Sequence, residues 1–276
     1  MRKSVETNGS RWRTRLCPAG GGRWIVTLAA VAGLAALEGC TPATQPSDRP
    51  NAAQAVPLGP EAWRTVLNAA QAGESVKQYM IKLDVQSQQG SLRSSYAAYG
   101  AVNRPDRLSI DILNQGTDLY FYQQGQSAYF RQDGHWSPTP AIADVDAYQS
   151  YVRTIQQAMA HAAPLGKLPR VYVNDEYCDV YRTTMSGQDL WPGGVTAGDA
   201  ALVWPVNPGQ MGAVQMTFYI GERTHVLRRV DAQSVGTVRE IGTVQVDAST
   251  VFFDLDAPVA RITLPKDLVR QLENVN

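Results

Sequence analysis

Asn103 to Trp136 reads NRPDRLSIDILNQGTDLYFYQQGQSAYFRQDGHW, and its periodicity decides the fold class. Leu108, Ile110 and Ile112 alternate with Arg107, Ser109 and Asp111, so one face of this segment is apolar and the other polar. A period of two is the signature of a half-buried strand. Asn114-Gln115-Gly116 reads as a turn. Asp118 to Gln123 and Ala128 to Arg131 then make a hairpin around Gln124-Gly125-Gln126, and Asp133-Gly134 turns the chain again before Trp136.

The same period extends in both directions. Upstream, Tyr79 to Val85 places Ile81, Leu83 and Val85 on one face, and Ser95 to Val102 is a second strand. Downstream, strands are expected at Arg170 to Val173, Tyr177 to Thr183, Val214 to Ile220 and Thr224 to Ala232, the last two joined through Gly221-Glu222-Arg223. Further strands are expected at Gly236 to Gln245 and Thr250 to Asp254, and Ile262 to Leu264 leads into Pro265 and a polar tail.

Two segments have helical spacing instead. Trp63, Val66, Leu67 and Ala70 share one face of a short helix, with Pro60 in the first turn, Glu61 at the positive end of the dipole and Gly73 as the C-terminal cap. From Asp144, the expected N-cap, to Ala163, the residues Val145, Tyr148, Val152, Ile155, Met159 and Ala162 recur every three or four positions. Such a stripe needs an apolar surface to cover, and the strands supply one.

The N-terminus has a different character. Arg2, Lys3, Arg11, Arg13, Arg15 and Arg23 precede an apolar run from Trp24 to Leu37, interrupted only by Thr27 and Gly33. Fourteen helical residues rise about 21 Å, short of a bilayer core of about 30 Å, so an export signal is the better reading than a spanning anchor. Leu37-Glu38-Gly39-Cys40 resembles a bacterial lipobox, with Glu38 where the pattern prefers a small or hydroxyl residue. The resemblance implies cleavage before Cys40 and transfer of a diacylglyceryl group, with fatty acyl chains such as palmitate, to its thiol. Residues 1–39 are then the signal peptide. Residues 40–60, with Pro42, Pro46, Pro50, Pro57 and Pro60, form a semi-extended tether, and residues 61–276 form the domain.

This division changes the charge. The whole chain has 25 basic and 25 acidic residues, but removing residues 1–39 leaves 19 against 23. A mature domain at −4 suits a head held beside an anionic membrane and offers no basic surface for nucleic acid. Cys178 is the one cysteine left besides Cys40 and is expected to pack as a small apolar side chain.

The order of elements, with the Asn103-Arg104-Pro105-Asp106-Arg107-Leu108 strand opening, the Phe121 to Trp136 hairpin, Met216-Thr217-Phe218-Tyr219-Ile220 and Ile262-Thr263-Leu264-Pro265, resembles the LolA/LolB lipoprotein-localisation superfamily over roughly residues 61–265. That superfamily contains periplasmic lipoprotein carriers, a sigma-factor regulator with a LolA-like half, and lipid-binding envelope lipoproteins. The resemblance implies an α+β fold: a curved antiparallel sheet, or half-barrel, with an N-terminal helix and an inserted lid helix over an apolar cavity. The cavity would be lined by Leu108, Ile110, Phe121, Met216 and Phe218 from the floor and by Val152, Ile155 and Met159 from the lid. The same residues fit a filled core equally well, since alternation does not separate the two. Residues 186–212, rich in Gly and Pro and carrying Trp191 and Trp204, form a long irregular insertion expected to help exclude water from the ligand or to dock a partner.

Catalytic and metal motifs are absent from the sequence. No Gly-x-Ser-x-Gly, His-Glu-x-x-His or phosphate-binding Gly-Lys-Ser/Thr pattern occurs. His135, His161 and His225 are scattered, and Asp144/Asp146, Asp175/Glu176 and Asp254/Asp256 fall at turns or element ends, where acids cap and solvate. Arg228 and Arg229 read as a solvated strand edge. Tyr79, Tyr96, Tyr99, Tyr120, Tyr122 and Tyr129 fit strand packing, with a carbohydrate platform as a minor alternative. The expected function is a membrane-anchored, extracytoplasmic envelope lipoprotein that needs no cofactor and is not an enzyme. It binds an acyl chain or lipid, or else acts as an interaction or envelope-sensing module with an envelope protein partner.

Overall fold

Alternating strands with one apolar face associate into a single antiparallel sheet, and a computed structural model shows how far it extends. It describes residues 55–114, 117–142, 145–190, 211–238 and 242–273. The signal peptide, Cys40 and the tether up to residue 54 lie outside the described residues, as do Asp144 and the stretch 191–210 with both tryptophans.

The strands are β1 (Val56–Leu58), β2 (Gln78–Gln89), β3 (Leu92–Asn103), β4 (Arg107–Asn114), β5 (Thr117–Gln124), β6 (Ser127–Gln132), β7 (His135–Thr139), β8 (Leu165–Val173), β9 (Glu176–Ser186), β10 (Met211–Gly221), β11 (Leu227–Val238) and β12 (Gly242–Phe253). They lie in the order β1-β8-β9-β10-β11-β12-β2-β3-β4-β5-β6-β7, so the sheet is open, with β1 and β7 at its edges. Hairpins set most of the register. The central one pairs Leu83 with Ala98 and Val85 with Tyr96, and Ile110 of β4 pairs with both Gly100 and Phe121. Gly100 is a tight point, because a Cβ there would run into the Ser109 carbonyl and the Ile110 backbone. A glycine that lets two strands approach in this way is a place where a sheet can bend.

The helices are α1 (Trp63–Gly73), preceded by a 3-10 turn at Pro60–Ala62, α2 (Ala147–Ala160), α3 (Gly187–Leu190) and α4 (Lys266–Glu273). One apolar cluster joins α1 and α2 to one face of the sheet; it contains Trp63, Val66, Tyr148, Val152 and Ile155 with Leu83, Ile110, Phe121, Phe218 and Phe252. The curved sheet with a helical cover is therefore the architecture that the alternation and the two stripes imply.

Four details differ from the sequence reading. The α2 cap is Asp146, whose carboxylate accepts from the Tyr148 N–H, and Ala162 lies beyond the helix, exposed, at φ 50°. The expected strand Gly236 to Gln245 is two strands: β11 ends at Val238, and β12 returns from Gly242, pairing Val238 with Gly242. Both arms are β-formers, so period alone gave no break. The polar tail contains α4, whose Leu268 is fully buried in a second cluster on the outer face with Met80, Ala101, Tyr122 and Trp136. Asp267 of α4 accepts from Trp136 Nε1 and Arg131 Nη1, and Gln271 bonds the Trp136 backbone in both directions.

The fourth difference concerns Gly73. It is the last residue of α1 in ordinary helical geometry, and a Cβ there would penetrate the Tyr148 ring. Its role is close approach between α1 and α2. Ala at a helix end usually stabilises, but Gly73→Ala is expected to destabilise by about 1–3 kcal/mol through overpacking. Urea unfolding gives the sign directly, and a stabilised variant would refute this packing.

Candidate functional site

The candidate site is the contact between the concave sheet face and α2. Of the ten expected lining residues, eight are described, and all eight belong to the same cluster. Leu108, Ile110, Phe121, Val152, Ile155, Met216 and Phe218 are buried, and Met159 is half-buried against them. Trp191 and Trp204 lie outside the described residues. The floor positions come from β4, β5 and β10 and the lid positions from successive turns of α2, so strand alternation and helix spacing converge on one apolar contact.

Aromatic rings form the centre of this contact. Tyr148 of α2 stacks on Phe252 of β12 at 4.4 Å, and Tyr79 of β2 meets Tyr148 edge-on at 5.1 Å. Their polar atoms are satisfied, as buried aromatics require. Tyr148 Oη donates to the Leu227 carbonyl, Tyr151 Oη donates to Thr250 Oγ1, and Trp63 Nε1 donates to the Ala163 carbonyl. Burial pushes the Tyr79 and Tyr148 hydroxyls up, the Asp146 carboxylate adding to the effect on Tyr79, and burial raises Tyr151 to about 12. All three stay protonated at neutral pH and act as donors.

At one end of α2, a polar clamp fastens the cover. Arg104, in the turn before β4, reaches Asp146 with Nη2 at 2.6 and 2.7 Å to its two oxygens. Its Nη1 donates to the carbonyls of Gly73 and Val76 at the end of α1. Its guanidinium lies 5.9 Å from the Tyr79 ring centroid and 5.8 Å from that of Tyr148. Tyr79 Oη donates to Asp146 and accepts from the Ala147 N–H. One arginine therefore holds together the end of α1, the start of α2 and the sheet. Arg104 belonged to the quoted Asn103 to Leu108 stretch, but sequence alone gave it only the role of a strand opening, since its partner is 42 residues away.

The acids and arginines expected to be solvated include buried exceptions. Glu176 is 5% exposed; it accepts from the backbone N–H groups of Arg223 and Thr224 and forms an ion pair with Arg228 at 3.1 Å. Arg228 and Arg229 are both buried, and Arg229 bonds Asp231 at 2.7 Å. The reason is that the β10–β11 turn folds back onto the β8–β9 turn, which turns a loop carboxylate into an internal cap. Among the described residues, no group of three or more His, Cys, Asp or Glu stands close enough to hold a metal ion. No helix among them is long and apolar enough to cross a membrane. Cys178 is buried, and burial raises its thiol to about 12.

Three cavities lined by described residues lie elsewhere, and none of the ten candidates lines them. One, of about 460 Å³, sits beside the clamp, between Gln123, Ile142 and Arg153.

No family model matches the chain, and no curated protein matches it. Solved structures similar to it include LprF from Mycobacterium bovis, at 11% identity and a TM-score of 0.40, covering 76% of this chain and 98% of that one. A LolA-superfamily protein from Nitrosomonas europaea aligns at 6% identity and a TM-score of 0.25, covering 73% and 97%. The complex of MucA and MucB from Pseudomonas aeruginosa aligns at 10% identity and a TM-score of 0.30, covering 76% of this chain and 60% of that one.

Removing one member of this partly buried pair costs the other its charged partner and frees two backbone carbonyls, so Arg104→Ala is expected to cost about 2 kcal/mol of stability. Asp146→Ala should cost a similar amount, and the double variant less than the sum of the two. Equilibrium urea unfolding of the set measures the coupling, and strict additivity would show that the clamp is no unit.

Proposed function

We propose that this chain is an exported lipoprotein of the bacterial envelope, anchored through acylated Cys40, whose sheet binds an apolar chain by exchanging it for the α2 stripe. It acts by binding, without catalysis. The observation that supports the reading is the single apolar cluster shared by the sheet and its helical cover. Within that cluster, α2 contributes Tyr148, Val152, Ile155 and Met159 to the contact.

The energies permit such an exchange. Burying one large apolar side chain is worth about 1.5–3 kcal/mol, so lifting four of them costs roughly 6–12 kcal/mol. The fourteen methylenes of a palmitoyl chain, at about 0.8 kcal/mol each, return about 11 kcal/mol. The lipobox-like Leu37-Glu38-Gly39-Cys40 and the Pro-rich tether support the reading, since an anchor there would hold the domain where acyl chains occur.

A second reading is favoured by the clamp and the Tyr79, Tyr148 and Phe252 rings, which pack the contact fully. In it the core stays filled, and the domain is a protein-interaction or envelope-sensing module that uses its surface and the 191–210 segment.

Cys40→Ser is expected to move the protein from the membrane to the soluble extracytoplasmic fraction, read by fractionation and immunoblot; continued membrane association would remove the anchor. The soluble variant is expected to bind a fluorescent sixteen-carbon fatty acid saturably, with release by palmitate. No saturable binding, together with a ligand-free native mass spectrum, would sink the carrier reading and leave the filled-core one.

A further inference from the structure

The outer face of the sheet carries a groove that the concave face does not explain. Between the patch covered by α4 and a smaller apolar cluster of Leu168, Val173, Cys178, Val180 and Tyr219, the strands β9, β10, β11, β12 and β2 present mostly polar side chains, with the exposed Val235 opposite Gln245 as an apolar member. They line a depression of about 590 Å³. A second depression of about 390 Å³ shares Gln86, Gln245 and Asp247 with the first and carries it onto β3. Six neighbouring strands are crossed, so the trough is about 24 Å long at 4.8 Å per strand.

The lining is chemically specific. Gln86, Gln215, Gln233 and Gln245 supply amides, each with donors and acceptors, and Thr217 and Ser249 supply hydroxyls. The floor is held in place. Arg229, 4% exposed, donates to Asp231 Oδ1 at 2.7 Å, and Tyr219, 1% exposed, donates to Oδ2 at 2.7 Å. Arg182 donates to Thr217 Oγ1 at 3.2 Å, and Gln245 to Asp247 at 3.0 Å.

Charge is balanced within the groove. Asp84 pairs with Lys82 at 2.9 Å and Asp231 with Arg229, and the lining also carries one further carboxylate, Asp247, and one cation, Arg182, on separate strands. The β3 extension adds one cation, Arg93. At the same face, Tyr99 pairs across strands with Lys82, is 48% exposed and rests on Phe253 at 5.6 Å. It is the exposed member of the six tyrosines singled out in the sequence.

We infer that this trough binds a segment of a neutral, polyhydroxylated glycan chain. Paired donors and acceptors without net charge match vicinal hydroxyls, whose hydrogen bonds run both ways. An exposed tyrosine beside them matches the apolar C–H face of a sugar ring. A cationic peptide would need a row of unpaired carboxylates, whereas Asp84 and Asp231 each already hold a cation, and an acyl chain would need an apolar wall. The site lies on the opposite face from the proposed acyl exchange, so either can fail without the other.

The test uses the full-length protein in detergent and, as probes, maltoheptaose, cellohexaose, chitohexaose and hexalysine, with binding followed by isothermal titration calorimetry. Binding of at least one neutral oligosaccharide is expected. Gln233→Ala with Gln245→Ala should weaken it about tenfold, the loss of two net hydrogen bonds. Tyr99→Ala should weaken it further, with circular dichroism and fatty-acid binding unchanged in both variants. No binding of any neutral oligosaccharide, or binding that survives both variants, overturns the inference. Binding of hexalysine alone assigns the groove to a cationic peptide and overturns it equally.

Discussion

The ends of the two helices that cover the concave face meet the sheet at Arg104. An open sheet with an apolar face needs a cover, and hydrophobic burial alone does not say where that cover sits, because it is non-directional. The guanidinium supplies direction. It donates to the carbonyl of Gly73, the last residue of α1, and to that of Val76 just beyond, and it holds Asp146, which caps the first turn of α2. Because both helix ends meet one planar group, their relative placement is fixed at a point. The stripes then settle against the sheet, and Gly73 lets Tyr148 come in close. An ion pair this buried contributes little net stability compared with an apolar substitute, so its value lies in choosing one arrangement.

The two faces of the sheet solve different problems. The concave face is mostly apolar, with a few buried polar groups such as Thr250, and is closed by α1 and α2 through aromatic packing. The outer face is patchwork. Next to β5, β6 and β7 it is capped by α4, held by Asp267 between Trp136 and Arg131; burial pushes the Asp267 carboxyl up, but those two hydrogen bonds outweigh it and leave it low. Near β8 and β9 it has its own small apolar cluster. Between them the surface stays polar and ordered by internal bonds. Strand alternation makes this division natural, since residues of opposite parity on one strand serve opposite faces.

What could be read in the sequence was whatever depends on local period. Leu108, Ile110 and Ile112 on β4, and Tyr148, Val152 and Ile155 on α2, fall on the inward faces that their spacing implies. What could not be read depends on partners far along the chain. Arg104 needs Asp146, Glu176 needs Arg228, and Leu268 needs Met80 and Tyr122; each looks like a loop, edge or tail residue until the sheet brings the pair together. The β11–β12 reversal was hidden for a different reason. Both arms are strong β-formers and the turn lies between them without Pro or a paired turn dipeptide. The outer groove was hidden because glutamines on a polar strand face look the same whether they are scattered or aligned.

The clamp also bears on how the concave face could serve a ligand. Arg104 grips α2 at its first turn, while its last turns are held by the packing of Ile155 and Ala158, with Met159 half-buried, and by one hydrogen bond just past the helix end, from Trp63 Nε1 to the Ala163 carbonyl. A chain entering there could lift the C-terminal half of α2 and leave the Asp146 end seated. Under the proposed exchange, opening by hinging at the clamp would expose Ile155 and Met159 before Tyr148, so the aromatic centre would be disturbed last. On that proposal a filled contact and a ligand-accepting one are two positions of one helix rather than two folds. The balance between them is set by the few kilocalories that separate the α2 stripe from an acyl chain.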